Sequence, residues 1–305
     1  MDEMVKKLMR EVSDVQIQPG EAYNIRNNGK SEARFSTENI RIVSKEDVSG
    51  LDIYIKPFTK HESVHIPALI TTEGIDEVVY NDFHIGEGAD VVIVAGCGIN
   101  NCGCKDSIHA GIHRFFLGKD SKVLYLEKHI GEGDGTGERI INPETHVEAG
   151  PGSYMEMNTV QLGGVDSTKR VSSATLAEGA TLIIKEKIMT HGKQTAETSF
   201  DVVLEGADSS AQLVSRSVAK EQSKQLFRSS ITGNNACYGH SECDAIIMDE
   251  ASVAAQPEIY ANHVDASLIH EAAIGKIAGE QLMKLMTLGL TEAEAEEQII
   301  NGFLK

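Results

Sequence analysis

Three residues near the C-terminus have side chains suited to holding iron. His270 and Glu271 are adjacent in the segment SLIHEAAIGKI, and Cys243 precedes them in YGHSECDAIIM. Thiolate and imidazole groups suit iron, and a carboxylate can complete a labile site. The same residues also have structural interpretations. Cys243 shares a period-two strand face with Ala245 and could be a small core residue, and Glu271 could be an acid in the first turn of a helix, with His270 near the cap.

A second group of candidate metal ligands lies in GCGINNCGCKDSIHAGIHRFF. Its members are Cys97, Cys102, Cys104, His109 and His113, which are dense enough to ligate a metal. The spacing C-x4-C-x-C matches no standard structural zinc pattern. These residues would fall on a strand and the turn that follows, so they need not converge. We predict a second metal site here, with dispersal along the strand as the alternative.

The elements that position these groups follow a repeat. Gly152, Gly179, Gly206 and Gly233 are each 27 residues apart, and each precedes residues of strand type. A fixed period of strands without helices between them predicts a solenoid, in which each repeat stacks on the next. A sandwich of short strands is the alternative, but it does not predict a constant period.

The last 35 residues change to helical spacing. Apolar residues follow a helical period from Ala272, and Gly289 suits the end of that helix. Thr291 and Glu294 form a capping box for a second helix that ends near Phe303. The pattern predicts a helical hairpin.

The predicted organisation is therefore mainly β, with helices at both ends. Residues 1–31 contain a short amphipathic helix, in MDEMVKKLMREVS, and a lead-in segment. Residues 32–270 form the parallel β-helix core, and residues 271–305 form the C-terminal helical domain.

Composition excludes several classes of protein. The net charge of −18 on 305 residues disfavours a nucleic-acid partner. The sequence has no apolar run long enough to span a bilayer and no apolar signal-peptide core near the start, so we expect a cytoplasmic protein. Five cysteines, an odd number, make a disulfide framework improbable. The sequence contains no Walker A motif, so we expect no direct nucleotide binding.

Several ordered motifs carry a resemblance to a known family. GHSECDAIIMDE, PEIYANHVDASLIHEAAIGKIAGEQL and MTLGLTEAEAEEQIINGF together resemble the C-terminal core of the SufB/SufD family of iron–sulfur cluster assembly proteins. This match covers about residues 228–305. Upstream, GIHRFFLGKDSKVLYLEKH resembles archaeal-type members.

The resemblance implies a fold and a set of partners. It implies a right-handed parallel β-helix followed by a helical domain, acting as an assembly scaffold and not as an enzyme. The implied cofactor is a transient iron–sulfur cluster. The implied partners are a SufC-like ABC ATPase, docked on the C-terminal helices, and a second SufB/SufD-type chain in a homodimer or heterodimer.

The resemblance also implies roles for the residues considered first. Cys243 and Glu271 match positions held to support nascent cluster assembly in SufB, and His270 matches a related position in SufD. Pairing near the end of the β-helix would bring Cys243 of one chain toward His270 and Glu271 of the other. The segment MDEASVAAQPEI lacks a cysteine found in many SufB proteins, so SufB-like and SufD-like roles both stay open.

Two other functions fit a β-helix. One is a carbohydrate-active enzyme with carboxylates along an exposed sheet. Such enzymes usually carry aromatic platforms, whereas this chain has no Trp and 5% aromatic residues. The other is a simple metal-binding protein.

Overall fold

The computed structural model describes residues 3–13 and 16–305, which form a β-solenoid of about eight turns with three helices. The predicted fold class is confirmed. The predicted N-terminal segment 1–31 includes residues 1, 2, 14 and 15, which lie outside the described residues. No helix of the described ranges is long and apolar enough to cross a membrane.

Each turn of the solenoid contributes one strand to each of two sheets. Sheet A has the order β2 (Lys30–Phe35), β1 (Ala22–Asn27), β5 (Lys60–Ile70), β7 (Asp90–Asn100), β9 (Lys122–Glu132), β12 (Tyr154–Gln161), β14 (Thr181–Thr190), β16 (Ser210–Ala219), β18 (Cys237–Ile247) and β20 (Ala266–Gly275). Sheet B has the order β19 (Ser252–Ala261), β17 (Lys224–Gly233), β15 (Thr195–Leu204), β13 (Ser167–Leu176), β10 (Arg139–Ile141), β8 (Ser107–Leu117), β6 (Asp76–Ile85), β4 (Gly50–Ile55) and β3 (Ile40–Ser44), and β11 (Glu144–Ala149) pairs with β13 and β8. Apart from the β1–β2 and β3–β4 pairs at the first end, the strands pair in parallel.

Buried and outward-facing side chains alternate along the strands, and the buried ones form the core. In β14, β16 and β18 of sheet A every second side chain is buried. The buried apolar side chains of sheets A and B together form one continuous core. The other side chains face outward, where charged residues are solvated. A strand with one buried face needs this period of two.

The repeat of the structure is less regular than the glycine spacing. Register partners along sheet A are separated by 27, 29, 28 and 29 residues from Tyr154 to Ser267. Gly152 and Gly179 have φ of 66° in the turns before β12 and β14, whereas Gly233 ends a strand of sheet B. The solenoid prediction is correct, although the four glycines are not equivalent positions.

Helix α1 (Glu3–Val12) lies on the outside of sheet A near the first end. Its buried residues Val5, Leu8 and Val12 pack with Leu69. Gly98 on β7 permits this approach, because a Cβ there would lie 2.6 Å from Cγ of Leu8. The predicted N-terminal helix is therefore present over the residues described.

The C-terminal hairpin consists of α2 (Gly279–Thr287) and α3 (Glu292–Phe303). The predicted capping box is confirmed, because Thr291 accepts from the backbone N–H of Glu294 and Glu294 accepts from that of Thr291. The prediction that helical structure begins near Ala272 is wrong. Strand β20 continues to Gly275, since its pairing with β18 provides backbone hydrogen bonds that override the local apolar spacing.

Candidate functional site

Cys243 lies on the inner face of β18, as the period-two pattern predicts. Its side chain is 1% exposed and belongs to the main apolar core. Burial, with the negative charges of Glu186 and Asp244 adding to it, raises the pKa of the Cys243 thiol to about 12. In this conformation Cys243 is a protonated thiol within the solenoid.

His270 lies on the same inner face, one strand further toward the end. In the parallel register Ser241 pairs with His270, and Cys243 pairs with Ala272. Cys243 and His270 are therefore diagonal neighbours, and such neighbours have Cα atoms roughly 7–8 Å apart. The Nδ1 atom of His270 is buried and has no hydrogen-bond partner. Burial and the nearby His240 lower the pKa of His270, which favours the neutral imidazole.

Glu271 points away from His270, to the outer face of β20. Its side chain is 66% exposed, and its Oε2 atom lies 3.3 Å from Nε2 of His240 on β18. Glu242, the register partner of Glu271, adds a second acid to this face. Within one chain the structure therefore brings Cys243 and His270 to one face and places Glu271 on the other. His240 is a neighbour that the sequence analysis did not select.

The solenoid ends openly at β19 and β20. These are the last strands of their sheets, and no described strand pairs with their free edges. Exposed apolar side chains are concentrated there, namely Ile259, Tyr260, Val264, Ile269 and Ile274. A free sheet edge presents unpaired backbone N–H and C=O groups and is a template for pairing with another chain. Cys243 is one strand away from this edge.

The helical hairpin leaves this end uncovered. Ile300 and Leu304 pack instead against Val218, with Met189 and Ile246 beside them, so the hairpin contacts the ends of β14, β16 and β18. Helix α2 has no buried residue, and Met283, Met286 and Leu288 lie exposed along the α2 segment. The hairpin is thus attached to the strand that carries Cys243 and presents a free apolar surface.

The five residues of the second predicted site do not gather at one point. Cys97, His109 and His113 line a cavity of about 30 Å³ inside the first turns of the solenoid. Cys102 and Cys104 are exposed on the loop after β7. This loop is held by the Glu73 carboxylate, which accepts from the backbone N–H of Cys104 at 2.7 Å.

A row of buried polar residues connects the two regions along sheet A. The inward residues in register are Glu127, Thr159, Glu186, Ser215 and Cys243. Glu186 accepts a hydrogen bond from Ser215 at 2.8 Å. The row is therefore polar up to the strand that carries Cys243.

Arg170 neutralises the charge in this row. It donates to Glu127 at 2.6 Å and lies 3.5 Å from Glu186. Burial acts to raise the pKa of Glu127, but the charges of Arg170 and His129 lower it well below its usual value. Burial raises the pKa of Glu186. Sequence reasoning missed this row, although charged residues at inward positions of apolar strands, such as Glu127 in KVLYLEKHI, were a usable signal.

One trio of side chains has its potential ligand atoms within 4.8 Å of one another among residues 3–13 and 16–305, namely Asp52, Asp82 and His84. The ammonium of Lys45 already lies 2.5 Å from Asp52 and 2.8 Å from Asp82. Arg114 donates two hydrogen bonds to Asp82. These cations balance the two carboxylates, so Asp52 and Asp82 belong to a network of ion pairs.

Fold and site together define a class of protein: a parallel β-solenoid with a C-terminal helical hairpin and with thiol, imidazole and carboxylate groups beside an open end. Residues 72–303 match the family model for the SUF system FeS cluster assembly, SufBD core domain. The chain belongs to the SufBD family of iron–sulfur cluster assembly proteins.

Curated relatives from archaea agree with this assignment. A SufBD family iron–sulfur cluster assembly protein of Archaeoglobus fulgidus is 30% identical over 271 residues, which are 88% of this chain and 71% of the relative. One from Pyrococcus horikoshii is 29% identical over 262 residues, which are 85% of this chain and 77% of the relative. One from Methanothermobacter thermautotrophicus is 28% identical over 239 residues, which are 77% of this chain, and there the match spans 57% of the relative's length.

Proposed function

We propose that this chain is a scaffold subunit on which an iron–sulfur cluster is assembled transiently. The observation that carries the proposal is the position of Cys243 and His270 on one inner face, next to the open end of the solenoid. The Nδ1 atom of His270 has no partner there, although a buried polar atom usually has one. A second chain, or a metal bound with it, would satisfy this atom.

The second chain would be another copy or another SufBD-type protein. It would pair with the free edges of β19 and β20, where backbone groups and exposed apolar side chains such as Ile269 are available. Pairing would place the His270 and Glu271 of one subunit near Cys243 of the other.

Cys243 must lose its proton to bind iron. Its pKa of about 12 keeps the thiol protonated while it is buried in the core. A coordinating metal deprotonates a thiol outright, so arrival of iron can supply the driving force once the end strands open. Iron–sulfur clusters are held mainly by thiolates, with imidazole in some centres, and this matches Cys243 with His270. Glu271, on the outer face, would act as an exchangeable ligand.

The movement would come from an ABC-type ATPase docked on the helical hairpin. The exposed side chains Met283, Met286 and Leu288 offer it an apolar surface. Because α3 packs beside Ile246 on β18, displacement of the hairpin would act on the strand that carries Cys243. A packed lever attached to an interface with two arrangements is sufficient for such coupling.

Anaerobic reconstitution with iron and sulfide tests the scaffold role. Cys243→Ala is expected to lose most of the iron and the visible absorption that the parent chain retains. Cys237→Ala is the matched control, because Cys237 is also buried on the inner face of β18 but lies at the start of the strand, away from Cys243. Equal iron in the parent and in Cys243→Ala would contradict the assignment.

The docking step has its own test. Removing residues 279–305 takes away the hairpin and leaves β20 intact. Co-purification with the ATPase is expected to be lost, while Leu288→Glu alone should weaken it. Undiminished binding by the truncated chain would show that the ATPase uses another surface.

A further inference from the structure

The cavity in the first turns of the solenoid contains an unusual concentration of imidazoles. It measures about 30 Å³ and is lined by His109, His113 and His129, together with Cys97 and Glu127. A space of about 10–15 Å³ holds one water, so this cavity has room for an ion with a water beside it. It is separate from the site around Cys243, and the inference below does not rest on the proposed function.

The tautomer of His113 follows from its partners. Tyr125 donates its hydroxyl proton to Glu127 at 2.9 Å. The Tyr125 oxygen must therefore accept the 2.7 Å hydrogen bond from Nδ1–H of His113. The remaining nitrogen of His113, Nε2, then carries a lone pair.

His109 has the same arrangement. Its Nδ1 atom lies 2.9 Å from Oε1 of Glu77. This carboxylate is also held by Arg26 at 3.0 Å, and although burial acts to raise the pKa of Glu77, its partners His109 and Arg26 lower it. An ionised carboxylate only accepts hydrogen bonds, so His109 donates from Nδ1 and its Nε2 atom is free.

The two free nitrogens face the same point. A Cβ placed on Gly111, between the two histidines in β8, would lie 3.3 Å from Nε2 of His113 and 3.4 Å from Nε2 of His109. The absence of a side chain at Gly111 leaves this space open. His129 differs, since Arg170 donates to its Nδ1 atom at 3.3 Å and its Nε2 atom faces Glu127 at 3.5 Å.

Histidines that bind metals commonly donate their second N–H to a carboxylate or another polar group, which fixes the tautomer and aims the lone pair. His109 and His113 both have this second partner, and their lone pairs share one cavity. We propose that Nε2 of His109 and Nε2 of His113 bind one divalent first-row transition-metal ion inside the solenoid, with water completing its coordination. Imidazole suits zinc and iron alike. Glu77 fixes the tautomer of His109 directly, and Glu127 fixes that of His113 through Tyr125.

Zinc counting tests the site, with Cys102→Ser/Cys104→Ser as the starting variant so that exposed thiols do not contribute. The metal-free protein is incubated with Zn²⁺, exchanged into buffer and analysed by mass spectrometry. One bound equivalent is expected. Adding Gly111→Ala should weaken zinc affinity by more than about 100-fold. Replacing only the hydrogen-bond partners of metal ligands already lowers metal affinity by about 10- to 100-fold. The added methyl would lie 3.3–3.4 Å from both Nε2 atoms, within the space that the ion and its water need, and it keeps both imidazoles.

A second variant tests the site even if Gly111→Ala does not fold. His113→Asn retains an N–H near the Nδ1 position and removes Nε2, so it should also lose zinc. His146→Asn is the matched control, since His146 lies on β11 and bonds Ser173 outside the cavity. Bound zinc should also raise the thermal unfolding midpoint of the starting variant and not that of either cavity variant.

Three results would overturn the proposal. The first is equal zinc in the starting variant and in the folded cavity variants. The second is loss of all zinc on replacement of Cys102 and Cys104 alone, which would place the metal on the surface loop. The third is no zinc binding at all, which would mean that the cavity holds water only.

Discussion

His270 and Glu271 are adjacent in sequence but lie on opposite faces of the last strand. His270 faces the interior beside Ser241, whereas Glu271 is on the outer face, with its carboxylate 3.3 Å from the imidazole of His240. The two residues therefore cannot ligate one metal from within a single chain in this arrangement. A shared site requires a second chain or a rearrangement of the end strands.

Ile269→Lys is expected to weaken pairing at the open end. Ile269 is 41% exposed on β20, and a lysine on an edge strand opposes pairing with another chain. Sedimentation velocity of the chain alone, and mixed with a second SufBD-type chain, measures the effect. Val78→Lys is the control, because Val78 is 42% exposed on β6, far from that end. Equal association of both variants would mean that pairing occurs elsewhere.

Glu271→Gln separates a functional role from a structural one. The Glu271 side chain is 66% exposed where it contacts His240, and even an exposed ion pair contributes at most about 1 kcal/mol, so the free energy of unfolding should barely change. Iron retained after reconstitution should nevertheless fall, because the amide is a poorer ligand than the carboxylate. Glu280→Gln, an exposed acid on α2, should behave like the parent. Undiminished iron would remove Glu271 from the site.

Arg170→Met is expected to destabilise the solenoid strongly. It would leave Glu127 ionised and without its cation at the centre of the core, which costs about 3–5 kcal/mol in comparable cases. Denaturant unfolding measures the loss. Arg228→Met, which breaks the half-exposed pair with Glu197, should cost less than about 1 kcal/mol. Similar losses in both variants would show that Arg170 is not the main balance for the buried acids.

Acidification should destabilise the metal-free protein through His113. Burial lowers the pKa of His113 to about 4, whereas an unfolded histidine titrates near 6.5. The unfolded chain therefore binds the extra proton between these values. Stability is full above about pH 6.5 and falls by roughly 3 kcal/mol as the pH decreases to about 4. Burial shifts His129 in the same direction.

The pH dependence can be assigned by comparison with His113→Asn. Denaturant midpoints measured across this pH range in the presence of a chelator should vary less in the variant than in the parent. His146→Asn should keep the parental slope. An unchanged slope in His113→Asn would mean that other groups cause the acid sensitivity.

Much of the architecture was determined by the sequence alone. Period-two alternation placed Cys243 and Ala245 on one face, and the capping box at Thr291 and Glu294 marked the start of the last helix. The motifs around Cys243 and Glu271 identified the family. These features are local: they depend on strand pleat, helix capping and residue order over short distances.

Only the tertiary structure decided which residues meet. Ala272 and its neighbours have helical spacing, yet pairing with β18 makes them a strand and so separates His270 from Glu271. The cysteines at 97, 102 and 104 are close in sequence, but the end of β7 divides a buried thiol from two exposed ones. Glu127 and Arg170 are 43 residues apart and meet only because the turns stack in register. Such contacts depend on the register between distant strands, which no local pattern in this chain encodes.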